Sequence, residues 1–174
     1  MFFRLSNDIH LGKITMQLTE NAWEGIRIDN HPSQGGHDRV QNIVIDELSI
    51  SGVGGHGLET FGVDGLTVGD VTAEFTSSCG VLLNDTVNAR INSVNCNECA
   101  YVNTGYAAFR VANNNGNIEG AWPAGNVHVG SVVATGGGRG IFSVSGSGGS
   151  PLITLSYQAN AITAFYYRTL ITRS

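Results

Sequence analysis

The chain has 174 residues, of which 24 are glycine and 41% are apolar, enough for one domain with a packed interior. Charged residues make up only 13% and the formal net charge is −5; the single lysine and the arginines are scattered, so there is no basic stripe for nucleic acid. No apolar run approaches the ~18 residues needed to cross a membrane, and MFFRLSNDIH has no long apolar stretch of the kind a secretory signal needs.

Along the chain a nine-position phrase returns. It reads DIHLGKITM at 8–16, NIVIDELSI at 42–50, GLTVGDVTA at 65–73, NARINSVNC at 88–96 and NVHVGSVVA at 126–134. Its second position is Ile9, Ile43, Leu66, Ala89 and Val127, and its fourth is Leu11, Ile45, Val68, Ile91 and Val129. The seventh is Ile14, Leu48, Val71, Val94 and Val132; the ninth is Met16, Ile50, Ala73, Cys96 and Ala134. These columns stay apolar or small while the residues between them vary, as expected of one structural unit repeated in register. A shorter phrase follows each copy: EGIRI (24–28), HGLET (56–60), CGVLL (79–83), AAFRV (107–111) and RGIFS (139–143). Each unit therefore holds at least two short strands joined by Gly-, Asn- and Ser-rich turns.

The units start at 8, 42, 65, 88 and 126, at intervals of 34, 23, 23 and 38, so 23 residues is the bare unit and the longer intervals carry insertions. A propeller blade needs about 40 residues, and a leucine-rich repeat has a different Leu and Asn pattern. No amphipathic helical stretch of useful length speaks for βαβ units. The pattern predicts an all-β chain wound as a single-stranded parallel β-helix of about six coils. One domain over 1–174 is expected, regular over about 8–145 and irregular over 146–174. Equivalent positions of neighbouring coils would lie about 4.8 Å apart, and the inward columns would form one continuous core.

SPLITLSYQ followed by NAITAF reads as a degraded sixth coil. Phe2, Phe3 and the tail from Tyr166 are candidate covers for the open ends of the stack, which another subunit could also cap. Cys96 falls in an inward column and reads as a small apolar filler. Cys79 and Cys99 either pair between coils or stay free and buried, and the Cys-x-x-Cys at 96–99 has no second ligand pair nearby for zinc.

The insertions carry the functional reading. Connections after coils two and three are short (GVDG, NDTVN), whereas those after coils one and four grow into DNHPSQGGHDRVQ (29–41) and ANNNGNIEGAWPAG (112–125). Leaving from the same corner, they would stand roughly 14 Å apart, three strand spacings, as walls of a cleft floored by coils two and three. Coil four also swells through NECAYVNTGYA, and long loops on a terse scaffold are where binding and catalysis sit. The outward position of the second strand reads Arg27, Glu59, Leu82, Arg110 and Phe142, and two residues on stand Asp29, Phe61 and Asn84. The walls add His31, His37, Asp38, Arg39, Glu119 and Trp122, and the swelling adds Tyr101 and Tyr106. Arginine holds carboxylates through paired hydrogen bonds and aromatic faces cover sugar rings, so the set suits an acidic sugar chain. Plainer readings stand beside it. Arg27 and Glu59 are ladder neighbours that need only form a cross-strand ion pair, and Trp122, next to Pro123, would anchor its loop by packing.

The stretches HGLETFGVDGLTVGDVTA, GVLLND and TGYAAFRVANNNG, within about residues 40 to 145, resemble the pectin lyase-like superfamily, and within it the pectate-lyase-superfamily proteins. The resemblance implies a right-handed parallel β-helix that acts on polysaccharides outside cells, as lyase, hydrolase or epimerase, and so a secreted protein. Polygalacturonase-like hydrolases carry Asn-Thr-Asp, Asp-Asp, Gly-His-Gly and Arg-Ile-Lys in that order. Here GGHG contains His56, but there is no Asp-Asp pair, RID (27–29) precedes the histidine and NDT (84–86) is scrambled. Inverting hydrolysis needs two carboxyls about 6.5–9.5 Å apart, and Asp64 and Asp85, at similar turn positions of adjacent coils, are the only tidy pair. The dense acidic cluster of calcium-dependent pectate lyases is missing, so no cofactor or metal is expected.

A metal-free lyase acting on a uronate-containing glycan is the leading expectation. β-Elimination needs the uronate carboxylate neutralised, a base for the C5 proton and an acid for the leaving oxygen. Arg110 or Arg27 would neutralise, His56 would be the base and Tyr106 or Tyr101 would return the proton, with Glu59 beside Arg27. His31, His37, Arg39, Asn84, Asp85, Tyr101 and Trp122 would hold the sugar. His56 reads equally as a turn residue bonded to backbone. The alternatives are a polygalacturonase-like hydrolase and a non-catalytic, glycan-binding or oligomer-forming β-helix, because about six coils is short for these enzymes. Expected partners are a poly- or oligosaccharide and further copies of the chain through the coil ends, with neither nucleic acid nor membrane.

Overall fold

The computed structural model describes residues 1–30, 38–102, 105–112 and 125–140, and the backbone alone of 141–144, 152–155 and 171–172. Among these residues all strands pair in parallel, in two sheets, and there is no helix. The shorter strands form a six-stranded sheet: β1 (Phe2–Arg4), β3 (Glu24–Asp29), β5 (His56–Phe61), β7 (Val81–Asn84), β9 (Ala107–Ala112) and β11 (Arg139–Val144), in that order. The longer strands form a seven-stranded sheet: β2 (Ile9–Gln17), β4 (Val40–Ser51), β6 (Val63–Thr76), β8 (Val87–Cys99), β10 (Asn126–Thr135), β12 (Leu152–Leu155) and β13 (Ile171–Thr172). From β1 to β12 the chain changes sheet at every step, so one pass through both sheets is a coil and each coil pairs with the last.

The register is that of the repeat. Val68 pairs with Ile45 on one side and Ile91 on the other, and Ala73 with Ile50 and Cys96. Ile9 and Ile14 face Ile43 and Leu48, while Val127, Val129 and Val132 face Ala89, Ile91 and Val94. A parallel ladder brings identical positions side by side, so an apolar letter kept in each unit becomes a continuous apolar column. Ile26, Leu58, Val81 and Phe109 of the short sheet complete the core with Ile43, Leu66 and Ile91 of the long one, all at 0–1% exposure. Full burial of one such side chain is worth about 1.5–3 kcal/mol, which makes these columns the main driving force of the fold.

The corners are also periodic. Asp8, Asn42, Gly65 and Asn88, at the first position of the phrase, have φ of 55, 59, 79 and 54°. Asp, Asn and Gly are the residues that tolerate this left-handed region best. Amide side chains tie the column together: Asn42 Nδ2 donates to Asp8 Oδ1 at 2.8 Å and Asn126 Nδ2 to Asn88 Oδ1 at 3.1 Å. At the corner ahead of β5 the coils approach so closely that a Cβ on Gly55 would lie 1.7 Å from the Trp23 carbonyl oxygen.

One expectation is corrected and two are extended. Phe2 and Phe3 cover the first coil as a strand: they belong to β1, which pairs along the outer edge of β3, with Phe3 paired to Ile28 and packed on the core. Asp64 and Asp85 are not equivalent: Asp64 pairs with Val87, while Asp85 follows Asn84, the partner of Phe61. Their settings differ accordingly, since Asp64 accepts from Asn88 Nδ2 at 2.7 Å and Asp85 is fully buried. Leu152–Leu155 of SPLITLSYQ does extend the ladder, opposite Asn126–Val129, and Ile171–Thr172 pairs beyond it. The tail from Tyr166 to Leu170 lies outside the described residues. Cys79, Cys96 and Cys99 are free and buried, and Cys96 belongs to the core as its column predicts.

Candidate functional site

Alternation within the short strands decides which side chains face out. Ile26, Ile28, Leu58, Val81, Leu83, Phe109 and Val111 go to the core. Arg27, Glu59, Leu82 and Arg110 then form one outward row in register across four strands, flanked by Asp29, Phe61 and Asn84, and the backbone of Phe142 continues the register beside Arg110. The row is where the sequence places it, but its floor is closed rather than open. Asp29 is 2% exposed, Asn84 3%, Glu59 and Leu82 4% and His56 7%. Part of the cover is Tyr106, which packs against Cys79, Leu82 and Ala112 in a small apolar cluster outside the sheet. The Tyr106 ring meets the His56 ring edge-on at 4.9 Å and lies 5.1 Å beneath the Arg110 guanidinium.

Arg27 is the hub of the charged half of the site. Its Nη1 donates to Glu59 Oε2 at 3.0 Å and to Glu24 Oε1 at 3.4 Å, and its Nε donates to Asp29 Oδ2 at 3.1 Å. Arg4 reaches the other Asp29 oxygen at 3.3 Å. The Arg27 guanidinium also stands 4.7 Å from the Phe61 ring centre and 5.9 Å from that of Phe2. Three carboxyls thus share two guanidiniums. Burial pushes the Glu59 carboxyl up from 4.5 to about 7; Arg27 opposes this, and the neighbouring Glu24 and Asp29 add to it.

His56 sits between this cluster and the aromatic half. Its Nδ1 accepts the Cys79 N–H at 3.0 Å, so the neutral ring carries its proton on Nε2, which faces Glu59 Oε1 at 3.9 Å. Burial, then the charges of Arg110 and Arg27, bring His56 down from 6.5 to about 4. The ring is therefore neutral at ordinary pH, with its Nε2–H turned toward Glu59 but beyond hydrogen-bonding distance. The histidine bonded to backbone at a turn is the arrangement seen, and of the two side chains Glu59 has the pKa of a group that exchanges protons near neutrality.

Comparison of the chain with protein-family models, with curated proteins and with solved structures finds no match.

The remaining predicted residues divide. Arg110 is half-buried, and its Nη1 donates to the Gly105 carbonyl at 3.1 Å, which turns it over Tyr106. Arg39 is buried, with Nη1 bonded to the Asp85 carbonyl, so it braces the corner after β7. Asn84 and Asp85 are buried with it, and the Asn84 carbonyl accepts from Thr86 Oγ1 at 3.0 Å. These three support the coil rather than line its surface. Tyr101 is 48% exposed and its hydroxyl accepts from Ser77 Oγ at 3.2 Å, on the corner ahead of β9. His31, His37, Glu119 and Trp122 lie outside the described residues, as do most residues of both long loops. Asp38 is exposed, and its carbonyl accepts from Asn30 Nδ2 at 3.3 Å. Among the described residues no three His, Cys, Asp or Glu side chains converge to hold a metal ion. The part of Arg4, Glu24 and Phe2 in the charged cluster escaped the sequence reading because EGIRI appeared to open the short sheet. The signal that could have found them is the FFR triplet, which sits in register with RID.

Proposed function

We propose that the chain is a single-stranded right-handed parallel β-helix of about six coils, of the pectin lyase-like kind, and that it acts on an acidic, uronate-containing glycan. The observation that carries this reading is the file of side chains Arg27, Glu59, His56, Tyr106 and Arg110, running from β3 through β5 and past Leu82 of β7 to β9, with Arg27 3.0 Å from Glu59 and Arg110 5.1 Å over Tyr106. Such a file places a cation at each end of an acid–base group. In β-elimination Arg27 or Arg110 pairs with the uronate carboxylate, which makes the C5 proton more acidic. Ionised Glu59 takes that proton, the C4–O bond breaks as the C4–C5 double bond forms, and Tyr106 protonates the departing oxygen. His56 stays neutral with its Nε2 3.9 Å from Glu59 Oε1, which moves the base from His56 to Glu59.

A second reading is favoured by one observation: Glu59 is only 4% exposed. A carboxyl so enclosed suits a site that binds the polymer through Arg27 and Arg110 without cutting it. One experiment separates the two. Polygalacturonate is incubated with the full chain, and ultraviolet absorbance of unsaturated ends is followed beside a polymer-binding assay. A lyase releases such ends and loses them in Glu59→Gln while binding persists. Binding without new ends, weakened in Arg27→Gln, leaves the non-catalytic reading. Neither binding nor cleavage, for polyuronates and neutral glycans alike, removes both.

A further inference from the structure

We propose that the outward face of the long sheet carries a second ligand site, a groove that takes one carboxylated sugar unit of an oligosaccharide through Arg90 and His128. The site shares no residue with the Glu59 cluster and goes beyond the reading given for it.

The groove follows from the repeat. In β4, β6, β8 and β10 the third position of the phrase is Val44, Thr67, Arg90 and His128, and the fifth is Asp46, Gly69, Asn92 and Gly130. Both positions face away from the core, on either side of the inward Ile45, Val68, Ile91 and Val129. Between them runs a hollow of about 450 Å³ lined by these side chains, within the roughly 300–1,000 Å³ range of small-ligand sites. It stays open because two of its rungs carry no side chain at the fifth position. Glycine is required there: a Cβ on Gly69 would lie 2.0 Å from the Asp46 carbonyl oxygen, and one on Gly130 2.4 Å from that of Asn92.

Charge is graded along the groove. Arg90 and His128 are paired neighbours at one end, both exposed. No hydrogen bond or ion pair engages the Arg90 guanidinium among the described residues, unlike Arg27 and Arg4. Asp46 stands toward the other end, with Oδ1 held by His10 Nε2 at 2.8 Å. Beside Arg90 and His128 a smaller hollow of about 130 Å³ is lined by Asn88 and Asn126. A guanidinium fork with an adjacent imidazole suits one carboxylate, while Thr67, Asn92 and the second Asp46 oxygen suit sugar hydroxyls. A chain dense in phosphate or sulfate would meet the Asp46 carboxylate, and a neutral sugar would leave Arg90 without a partner. One acid group among several hydroxyls is what the groove complements.

The test is an amide chemical-shift titration of the full chain with trigalacturonate, with galactotriose as the neutral sugar and with inorganic phosphate. Trigalacturonate should shift Thr67, Arg90, Asn92 and His128, and Arg90→Gln should weaken that binding by roughly tenfold, the worth of one charge-assisted bond. Arg90 is exposed, so the variant should unfold at the wild-type urea midpoint, and His128→Gln gives an independent check. Equal responses to galactotriose or phosphate, or an affinity unchanged in both variants, overturn the proposal. Shifts confined to the surroundings of Arg27 and Arg110 also overturn it while leaving the acid–base reading of that face untouched.

Discussion

Glu59 and His56 oppose each other in the pH dependence of stability, and separating them tests the electrostatic description of the site. Between pH 4.5 and about 7 the folded chain keeps a proton on Glu59 that the unfolded chain has released, so this group's stabilisation is complete below 4.5 and is lost as pH rises through about 7. Between about pH 4 and 6.5 the unfolded chain binds a proton on His56 that the folded chain does not. That contribution is present above 6.5 and is lost as pH falls through about 4. At about 1.36 kcal/mol per pH unit, each window amounts to roughly 3 kcal/mol, with opposite signs. Where the windows overlap, from 4.5 to 6.5, the two cancel. In Glu59→Gln the difference from wild type should therefore rise by roughly 3 kcal/mol as pH goes from 4.5 to 7. In His56→Asn, whose side-chain oxygen can still accept the Cys79 N–H, the difference should fall by about the same amount from pH 4 to 6.5. Urea denaturation at closely spaced pH values gives both curves. Because each is read against wild type, carboxyls remote from the site drop out. A flat difference curve for either variant would refute the assignment of that group's shift to its burial.

Other expectations concern the scaffold. Gly55→Ala, with its Cβ driven to 1.7 Å from the Trp23 carbonyl oxygen, should lower stability by at least ~2 kcal/mol, read from the urea midpoint. Phe109→Ala should cost about 3–5 kcal/mol, since Phe109 is fully buried between the two sheets. Asn88→Val should be destabilised by more than ~1 kcal/mol, because a β-branched residue resists φ of 54° and loses the amide bond to Asp64. Asn88→Gly should be milder; equal losses in the two would show that backbone conformation is not what selects the asparagine.

The parallel pairing and its register were legible in the letters alone. A ladder of like units puts Ile45, Val68, Ile91 and Val129 side by side, so burial imposes the same choice on each and leaves a column that can be read without coordinates. The left-handed corner was written in the same way, as Asp8, Asn42, Gly65 and Asn88, although the apolar columns drew attention from it. Outward positions keep no such record, since nothing in the repeat constrains what covers them. Only the folded chain brings Tyr106 over His56, turns Nδ1 of that histidine to the Cys79 amide and gathers Arg4, Arg27 and three carboxyls into one cluster. The same holds for the groove beside Arg90, which exists because glycine and longer residues alternate at one outward position, a pattern that acquires meaning once the rungs are stacked. Periodicity encodes what every coil shares; a site depends on what single coils do differently.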